Sequence, residues 1–269
     1  MNMLDQIIAY KKKEVEERKS LYPVKLLEKS VYFNSPVISL SKYLLREDKA
    51  GIIAEIKRKS PSKGMINKYV SVERTSIGYM QAGASALSIL TDTEFFAGTN
   101  ADLTTARKFN YCPILRKDFM IDEYQVIEAR SIGADAILLL ANVLTPARVK
   151  ELAKFAKSLG LEVVLELRDA EELPALNEYV NVVGVNNRNL KDFSVDITQS
   201  LRLAPLIPSD FIRISESGIA SAATISQLRK AGYRGFLIGE TFMKESRPEA
   251  ACARLVKELN ELTKQVLAL

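Results

Sequence analysis

Short, almost fully apolar segments alternate along the chain with longer segments whose apolar residues recur every three or four positions. Eight apolar segments stand out, at residues 51–58, 86–92, 113–119, 136–141, 162–167, 181–187, 211–217 and 235–241. Strands that are apolar in nearly every position are typical of a parallel sheet covered by helices on both faces. The pattern therefore predicts an α/β fold with eight β-strands.

The helical segments between these strands carry start and stop signals. Helices are predicted at residues 71–83, 122–133, 145–160 and 221–232, and each of these segments ends on a glycine. Glycine is the usual residue at a helix end because it adopts the left-handed conformation without strain. In the third helix, Thr145 is suited to cap the N-terminus and Pro146 to occupy the first helical position.

Eight strand–helix units without a break in composition predict a (β/α)8 TIM barrel. A doubly wound open sheet would fit the same alternation, but no glycine-rich fingerprint follows the first strand, which favours the barrel. We expect residues 1–269 to form a single domain, with an N-terminal helical extension at residues 1–47 and the barrel at residues 48–269.

The N-terminal extension is expected to pack a helix on the barrel, because Leu4, Ile7, Ile8 and Val15 fall on one helical stripe. The lysines at residues 11–13 are soon followed by three glutamates. This mixture of charges is interpreted as a solvated helix face.

Composition excludes some classes of protein and favours others. With 47% hydrophobic and 26% charged residues, the chain has the balance of an ordinary soluble globular protein. No apolar run approaches the roughly 18–20 residues of a membrane span, and the N-terminus lacks the features of a signal peptide. Cys112 and Cys252 are far apart and give neither a disulfide framework nor metal-ligand spacing. A reducing, cytoplasmic location is expected.

The net charge of +5 suits either a nucleic acid or an anionic small molecule. No long basic stripe with interleaved aromatic residues appears, so nucleic acid is the weaker interpretation. We expect a small anionic substrate as partner, no nucleic acid or membrane, and a chain that is a monomer or a weak homodimer.

The chain contains no histidine. General acid–base chemistry must therefore use Glu, Asp, Lys, Tyr or Cys, with pKa values that burial and neighbouring charges have moved. Ser-His-Asp catalysis and histidine-ligated zinc are excluded.

Polar residues gather at the carboxyl ends of the predicted strands, which form the working end of a (β/α)8 barrel. Glu55 and Lys57 lie two positions apart and therefore share a direction, as do Asn186 and Arg188. If both pairs point inward, the mouth holds the cations Lys57, Lys117 and Arg188 and the carboxylates Glu55 and Glu166. Other polar residues at strand ends are Asp92, Asp118 and Asn142. The excess of cations suits a substrate with more than one negative group.

A second signal concerns phosphate. Ser217 and Gly218 end the seventh strand, and Gly239 and Glu240 end the eighth. The loops after these two strands frequently form a phosphate site from backbone N–H groups, and glycine lets the backbone approach an anion closely. Each glycine alone is a weak signal, but the pair at these two positions is moderately specific.

Several long motifs, in order along essentially the whole chain, resemble the indole-3-glycerol phosphate synthase family. They are AEIKRKSPSKG, ALSILTDTEFFAG, PILRKDF, VVLEL, GVNNRNL, SESGI and FLIGETFM, and the N-terminal LDQIIAYKKKEVEERK resembles the family's extra helical segment. The resemblance implies a carboxy-lyase of tryptophan biosynthesis that needs neither cofactor nor metal. Its substrate would be 1-(2-carboxyphenylamino)-1-deoxyribulose 5-phosphate, which carries a carboxylate and a phosphate.

The resemblance also implies roles for individual residues. Lys117 would be the general acid that protonates the carbonyl oxygen as the ring closes, and Glu166 the general base in the dehydration. Lys57 and Glu55 would assist proton transfer and orient the intermediate, whereas Asn186 would position polar groups of the substrate. Which of the two lysines donates the proton in the dehydration stays open.

The residues implied to bind substrate form two groups. The phosphate and sugar contacts would be Ser60, Ser217, Gly218, Gly239 and Glu240, whereas Arg188, like Asn186, would position polar groups of the substrate. The apolar slot for the aromatic ring would be formed by Phe96, Phe119, Leu138 and Leu190, although an ordinary core position is as good an interpretation of Leu138. The family often has serine at Glu240, so this side chain is expected to turn away from the anion.

Two alternatives remain. Phosphoribosylanthranilate isomerase is a phosphate-binding barrel of the same pathway, but its base is a cysteine at the end of the first strand, where this chain has Glu55 and Lys57. A basic barrel that serves as a nucleic-acid or scaffold module is the other, and strongly salt-dependent binding to DNA or RNA would support it.

Overall fold

Eight parallel strands close into a barrel in a computed structural model that describes residues 2–189 and 192–267. The strands are β1 (Ile52–Ile56), β2 (Ala86–Leu90), β3 (Ile114–Lys117), β4 (Ala136–Leu140), β5 (Glu162–Leu167), β6 (Val182–Asn186), β7 (Ile212–Glu216) and β8 (Gly235–Ile238). Each strand pairs with its neighbours in chain order, and β8 pairs with β1 to close the sheet. The predicted (β/α)8 fold is confirmed.

Helices cover the outside of the barrel and the N-terminal extension adds three more. The α-helices of the described residues are α1 (Met3–Leu21), α2 (Val24–Leu27), α3 (Leu40–Leu44), α4 (Val72–Gln81), α5 (Asn100–Phe109), α6 (Glu123–Ile132), α7 (Pro146–Ser158), α8 (Thr198–Leu203), α9 (Ala222–Lys230), α10 (Glu240–Met243) and α11 (Pro248–Leu267). A short antiparallel hairpin, Lys59–Ser60 with Gly64–Met65, follows β1. None of these helices is long and apolar enough to cross a membrane.

The predicted helix signals are confirmed in α4, α6, α7 and α9. The four glycines that follow these helices, Gly83, Gly133, Gly160 and Gly232, all have positive φ, between 79° and 99°. The side chain of Thr145 accepts a hydrogen bond from the backbone N–H of Arg148, and Pro146 begins α7. Local chemistry thus sets where these helices start and stop.

The connection after β5 departs from the expected strand–helix unit. It contains a 3₁₀-helix, Ala170–Ala175, in place of an α-helix. Pro174 lies inside this segment, and proline has no N–H to donate and crowds the preceding turn of an α-helix. The segment therefore stays short and tight.

The two-residue period of the strands decides which side chains enter the barrel. Ile53, Leu115, Val164 and Ile214 belong to the inner core, whereas Ile52 and its equivalents pack against the outer helices. The side chains two positions further along face inward as well, at the carboxyl end of each strand. These inward positions are occupied by Glu55, Lys117, Glu166 and Glu216.

Helix α1 packs on the barrel through the predicted stripe, in which Ile7 and Val15 are buried. The interpretation of residues 11–13 as a solvated face is wrong for Lys11, whose side chain is 1% exposed, and holds for Lys12 and Lys13. Lys11 falls on the same stripe as Ile7 and Val15, so it turns inward with them. Buried carboxylates of the barrel compensate its charge.

Candidate active site

Two adjoining cavities open at the carboxyl ends of the strands. The first is lined by polar residues of β1, β3, β5, β6 and β7 and by apolar side chains that include Leu90, Phe96, Phe119, Leu138 and Leu140. The second lies beside the loops that follow β7 and β8. Both cavities share Glu55, Lys57, Arg188, Ser217 and Glu240, so they form one continuous mouth.

The structure brings the described residues of the predicted site together in this mouth. The first cavity is lined by Glu55, Lys57, Ser60, Phe96, Lys117, Phe119, Leu138, Glu166, Asn186, Arg188, Ser217 and Glu240. Gly218 and Gly239 line the second. Leu190 lies outside the described residues.

Lys117 lies between two carboxylates at the centre of the mouth. Its Nζ is 3.2 Å from Oε2 of Glu166 and forms a short ion pair with Glu216. Asn186 donates a hydrogen bond of 2.8 Å from Nδ2 to Oε1 of Glu166. Its Oδ1 accepts from the backbone N–H of Arg188 at 2.9 Å, which fixes the orientation of the amide. Glu166 is thus held from both of its oxygens.

A second ion pair lies next to this cluster. The Nζ of Lys57 is 2.8 Å from Oε1 of Glu55, and Ser88 donates to the other carboxylate oxygen at 3.4 Å. The side chain of Glu55 is 4% exposed and that of Lys57 is 18% exposed, so the lysine faces the opening. The pair therefore lies inside the barrel and not on a solvent-exposed strand face.

Two glycines make room for these carboxylates. A Cβ on Gly239 would lie 2.4 Å from Oε1 of Glu55, and a Cβ on Gly184 would lie 2.4 Å from Oε1 of Glu216. Both distances are far below van der Waals contact, so any larger residue would displace a carboxylate. Gly184 was not singled out from the sequence, because a glycine inside a strand has several explanations.

The charges of the cluster move several pKa values. Burial would raise the pKa of Glu55, but Lys57 and Lys117 hold it below its ordinary value. Burial would lower the pKa of Lys117, yet the surrounding Glu216, Glu166 and Glu55 raise it. Burial raises the pKa of Glu216 to about 7, with Lys117 opposing the change and Glu166 adding to it. Lys117 is consequently a stable ammonium group.

Glu216, which makes one of the two ion pairs of Lys117, was not among the predicted site residues. The signal was present, because Ile212, Ile214 and Glu216 alternate along β7 and Ile214 belongs to the inner core. Glu216 is 1% exposed, and its Oε1 has no hydrogen-bond partner among the described residues. Oε1 of Glu216 is therefore a buried acceptor inside the barrel that has no donor among the described residues.

The expected excess of cations is wrong for the mouth as a whole, since Asp118, Glu216 and Glu240 also line it and the described carboxylates equal the cations in number. Among the described residues, cations outnumber carboxylates in the second cavity and not in the first. Its charged residues are the cations Lys57, Lys63, Arg188 and Lys244 and the carboxylates Glu55 and Glu240. The end of the mouth near β7 and β8 is thus the one that favours an anion.

The loop after β7 has an unusual backbone. Ser217 and Gly218 both have positive φ, at 69° and 76°. Serine rarely adopts this conformation, which is concentrated at functional sites. A Cβ on Gly218 would lie 2.4 Å from Cγ1 of Val195, so glycine is needed here for space as well.

Glu240 does not turn away from the mouth as expected. Arg188 donates a hydrogen bond of 3.0 Å to its Oε2, and the Nζ of Lys63 lies 3.8 Å from its Oε1. Two nearby cations attract the carboxylate toward the cavity, which is the physical reason for the difference. Glu240 therefore pairs with Arg188 and lies close to the more exposed Lys63.

The apolar part of the mouth is built from both the barrel and α1. The rings of Phe96 and Phe119 lie 6.0 Å apart between centroids, at an interplanar angle of 40°. Met3, Leu4 and Ile7 of α1 line the same cavity, a contribution that the sequence analysis had not assigned to the site. Leu138 is 3% exposed, belongs to the inner core and also lines the cavity.

A closed parallel barrel that gathers lysine and glutamate side chains at the carboxyl ends of its strands has the construction of a (β/α)8-barrel enzyme. The family model described as indole-3-glycerol phosphate synthase matches residues 4–255. The chain belongs to the indole-3-glycerol phosphate synthase family, as the motifs predicted.

Relatives with this name cover almost the whole chain. The indole-3-glycerol phosphate synthase of Bacteroides thetaiotaomicron is 46% identical over 258 residues, which are 96% of this chain and 99% of the relative. That of Campylobacter curvus is 40% identical over 268 residues, again 96% of this chain and 99% of the relative.

Solved structures of low sequence identity share the fold. The 3-hexulose-6-phosphate synthase of Salmonella typhimurium gives a TM-score of 0.62 at 13% identity and covers 78% of this chain and 99% of its own. The tryptophan synthase alpha subunit of Legionella pneumophila gives 0.59 at 14% identity, with 84% and 98% covered. At this identity the likeness shows the barrel alone.

Proposed function

We propose that the chain catalyses the conversion of 1-(2-carboxyphenylamino)-1-deoxyribulose 5-phosphate to indole-3-glycerol phosphate, CO2 and water in tryptophan biosynthesis. The observation that carries the proposal is Lys117, an inward-facing ammonium between Glu166 and Glu216 that lines the first cavity, which adjoins the cation-rich second cavity. A substrate with an aromatic ring at one end and a phosphate at the other fits such a mouth.

Lys117 is proposed as the general acid of ring closure. The ring carbon that carries the carboxylate attacks the sugar-derived carbonyl carbon, a carbon–carbon bond forms, and the carbonyl electron pair moves to oxygen. Lys117 supplies a proton to that oxygen, and loss of CO2 returns an electron pair to the ring. A protonated donor in a partly desolvated site stabilises the developing charge far better than water does.

Glu166 is proposed as the general base of the dehydration. The methylene carbon next to the new hydroxyl loses a proton to Glu166, a double bond forms, and the hydroxyl leaves as water after taking a proton from a lysine. Asn186 and Lys117 hold Glu166 in place for this step. Lys57 and Lys117 both face the mouth, so either lysine is placed to donate the second proton.

The two ends of the substrate are proposed to bind in the two cavities. The aromatic ring would lie against Phe96, Phe119 and Leu138, with Leu190 added from the part of the chain that the structure does not describe. The phosphate would bind near Ser217, Gly218, Gly239 and the backbone of Glu240, where cations outnumber carboxylates. Ser60 and Arg188 would contact the sugar and phosphate from the side of β1 and β6.

The test is to incubate the purified chain with the carboxyphenylamino deoxyribulose phosphate and to follow indole fluorescence and CO2 release without added metal. Indole formation by the wild type supports the proposal. Conversion of the substrate of phosphoribosylanthranilate isomerase, with no indole formed, would contradict it and favour the isomerase.

Location, assembly and domain organisation belong to the same proposal. We propose a cytoplasmic chain that acts as one domain, with the extension forming a wall of the site, and that is a monomer or a weak homodimer without a nucleic-acid partner. Cys112 and Cys252 are both free and buried, which suits a reducing compartment. Light scattering over a range of protein concentrations tests the oligomeric state.

A further inference from the structure

A buried ammonium group of helix α1 pairs with two carboxylates at the mouth of the barrel. The Nζ of Lys11 lies 2.9 Å from Oδ2 of Asp92, 2.9 Å from Oδ1 of Asp118 and 2.5 Å from Oε2 of Glu14. The lysine and both aspartates are almost fully buried. Displacement of the lysine is costly, because it would leave buried charges without their partners in a low dielectric.

The two aspartates also organise the loops that carry the aromatic wall of the first cavity. Oδ1 of Asp92 accepts hydrogen bonds from the backbone N–H groups of Phe95 and Phe96, at 2.7 and 3.3 Å. Oδ1 of Asp118 accepts from the backbone N–H of Phe119 at 2.8 Å. The carboxylate of Asp92 thus connects Lys11 to the backbone of Phe96, and that of Asp118 connects it to the backbone of Phe119.

Lys11 also fixes the part of the first cavity that is lined by α1. Met3, Leu4 and Ile7 line the cavity from α1, and Ile7 lies one helical turn before Lys11 on the same face. Residues i and i+4 of a helix move together, so the position of Lys11 sets the depth of this wall.

We propose that Lys11 is a positioning residue for the aromatic half of the substrate. It holds the α1 wall and the Phe96 and Phe119 loops in place around the apolar part of the first cavity. The inference deepens the proposed function, since it assumes that the apolar cavity binds the anthranilate moiety.

The inference makes a selective prediction, because the described residues that line the second cavity include none from α1. A change at Lys11 should therefore weaken the binding of an aromatic ligand and spare the binding of phosphate. A general role of Lys11 in stability would affect both ligands alike.

The experiment measures binding of anthranilate and of inorganic phosphate, each alone, to the full chain by calorimetry. The variants are Lys11→Met, which keeps the length of the side chain without its charge, and Lys11→Arg, which keeps the charge. Lys12→Met is the matched control, because Lys12 is the next residue of α1 and is exposed. Kinetic constants for the carboxyphenylamino substrate are measured alongside.

For Lys11→Met we expect about tenfold weaker anthranilate binding, phosphate binding within about twofold of the wild type, and a rise in KM larger than the fall in kcat. Lys11→Arg should recover most of the anthranilate affinity, and Lys12→Met should change neither ligand. Equal losses for both ligands, or unchanged anthranilate binding in folded Lys11→Met, would overturn the inference.

Two further variants keep the test decisive if Lys11→Met does not fold. The double variant Lys11→Met/Asp92→Asn removes one cation and one anion together, and Leu4→Ala removes part of the wall without touching the ion cluster. Both should lose anthranilate affinity selectively, and retention of full affinity by both would overturn the inference. Indole formation by the wild type decides the proposed function separately, because the binding measurements need no turnover.

Discussion

At the scale of single residues, Lys117 has the central position among the charged groups of the mouth. It makes ion pairs with Glu166 and Glu216, which belong to different strands, and its pKa is raised by them although burial acts in the opposite direction. A lysine in this setting stays protonated over the whole physiological range. It can therefore give up a proton only to a group whose basicity rises during the reaction, such as a developing alkoxide.

Replacement of Lys117 by alanine should lower kcat by roughly 10²–10⁴-fold, the contribution ascribed to a positioned general acid. The rate of indole formation measures this, and circular dichroism checks that the fold is retained. Lys154→Ala on the exposed side of α7 is the control and should leave the rate unchanged. A near-normal rate for Lys117→Ala would refute the assignment.

Glu216 should give the stability of the protein a recognisable pH dependence. Burial raises its pKa from an ordinary value of 4.5 to about 7, so the folded state binds a proton that the unfolded state releases between these values. The stability that this group contributes is present below about pH 4.5 and is lost as the pH rises to about 7.

The variant Glu216→Gln should therefore lose that component of the pH dependence. Urea titrations at several pH values between 4.5 and 7 measure the free energy of unfolding of both proteins. We expect the wild type to lose stability relative to Glu216→Gln as the pH rises through this window. A constant difference between the two proteins would contradict the raised pKa.

At the scale of elements, the junction of β8 and α10 contributes two features to the site: a glycine that lies close to a carboxylate, and a charged side chain. Gly239 gives Glu55 the space that it needs, and Glu240 covers the cations of the second cavity. A bound phosphate has to compete with the Glu240 carboxylate for Arg188 and Lys63. The side chain of Glu240 is 37% exposed, so solvent screens this competition and its effect on affinity is modest.

Glu240→Gln should bind inorganic phosphate a few times more tightly than the wild type, because the neutral amide neither repels the anion nor occupies the cations so strongly. Competition between inorganic phosphate and substrate measures the change, which should shrink at high salt. Glu245→Gln is the control with no expected effect, because this carboxylate lies just beyond α10, has a side chain that is 45% exposed and lines neither cavity. Unchanged or weaker phosphate binding by Glu240→Gln would show that this carboxylate does not compete.

The connection after β5 illustrates what limits the prediction of elements. Periodicity and composition correctly predicted all eight strands and the ends of α4, α6, α7 and α9, because these signals are local. The regular count of strand–helix units concealed the 3₁₀-helix Ala170–Ala175, although Pro174 was visible in the sequence. Proline is tolerated near the start of an α-helix but not inside one. Where Pro174 would fall relative to the start of a helix was decided by the packing of this loop.

At the scale of the whole molecule, the N-terminal extension is tied to both ends of the barrel. Lys11 ties it to the mouth, and Asp135 ties it to the opposite end, where its carboxylate accepts from the backbone N–H groups of Ile38 and Ile114, each at 2.8 Å. Asp135 also forms a short ion pair with Arg107. Burial raises the pKa of Asp135 to about 6, with Arg107 opposing it.

Asp135→Ala should therefore lower the free energy of unfolding by about 3–5 kcal/mol, since it removes the ion-pair partner of the largely buried Arg107 and the acceptor of two backbone N–H groups. At 25 °C the folded enzyme should keep its kcat, because Asp135 does not line either cavity. Urea denaturation and steady-state kinetics measure the two effects.

The control for this variant is Asp48→Ala, which removes the exposed ion pair between Arg46 and Asp48 and should cost far less, because solvent screens that pair. If Asp135→Ala cost no more than Asp48→Ala, the buried network would contribute nothing to holding the extension. Loss of kcat without loss of stability would instead connect Asp135 to the site.

Much of the site followed from the two-residue period of the strands. Glu55 and Lys57 share a direction with Ile53, and their position at the end of β1 is enough to predict that they face the mouth. The same reasoning was available for Glu216 and would have found it. It would not have found Met3, Leu4 or Ile7, because their place at the mouth depends on how α1 crosses the barrel.

The sequence by itself determined the strands, the main helices, the barrel and the family, since each depends on local periodicity or on motifs that are continuous along the chain. Only the tertiary structure decided that Lys11 is buried between Asp92 and Asp118, that Glu216 pairs with Lys117, and that Glu240 reaches Arg188. The physical reason is distance along the chain. These charges find their partners on elements many residues away, and closure of the barrel is what brings them within a few ångströms of each other.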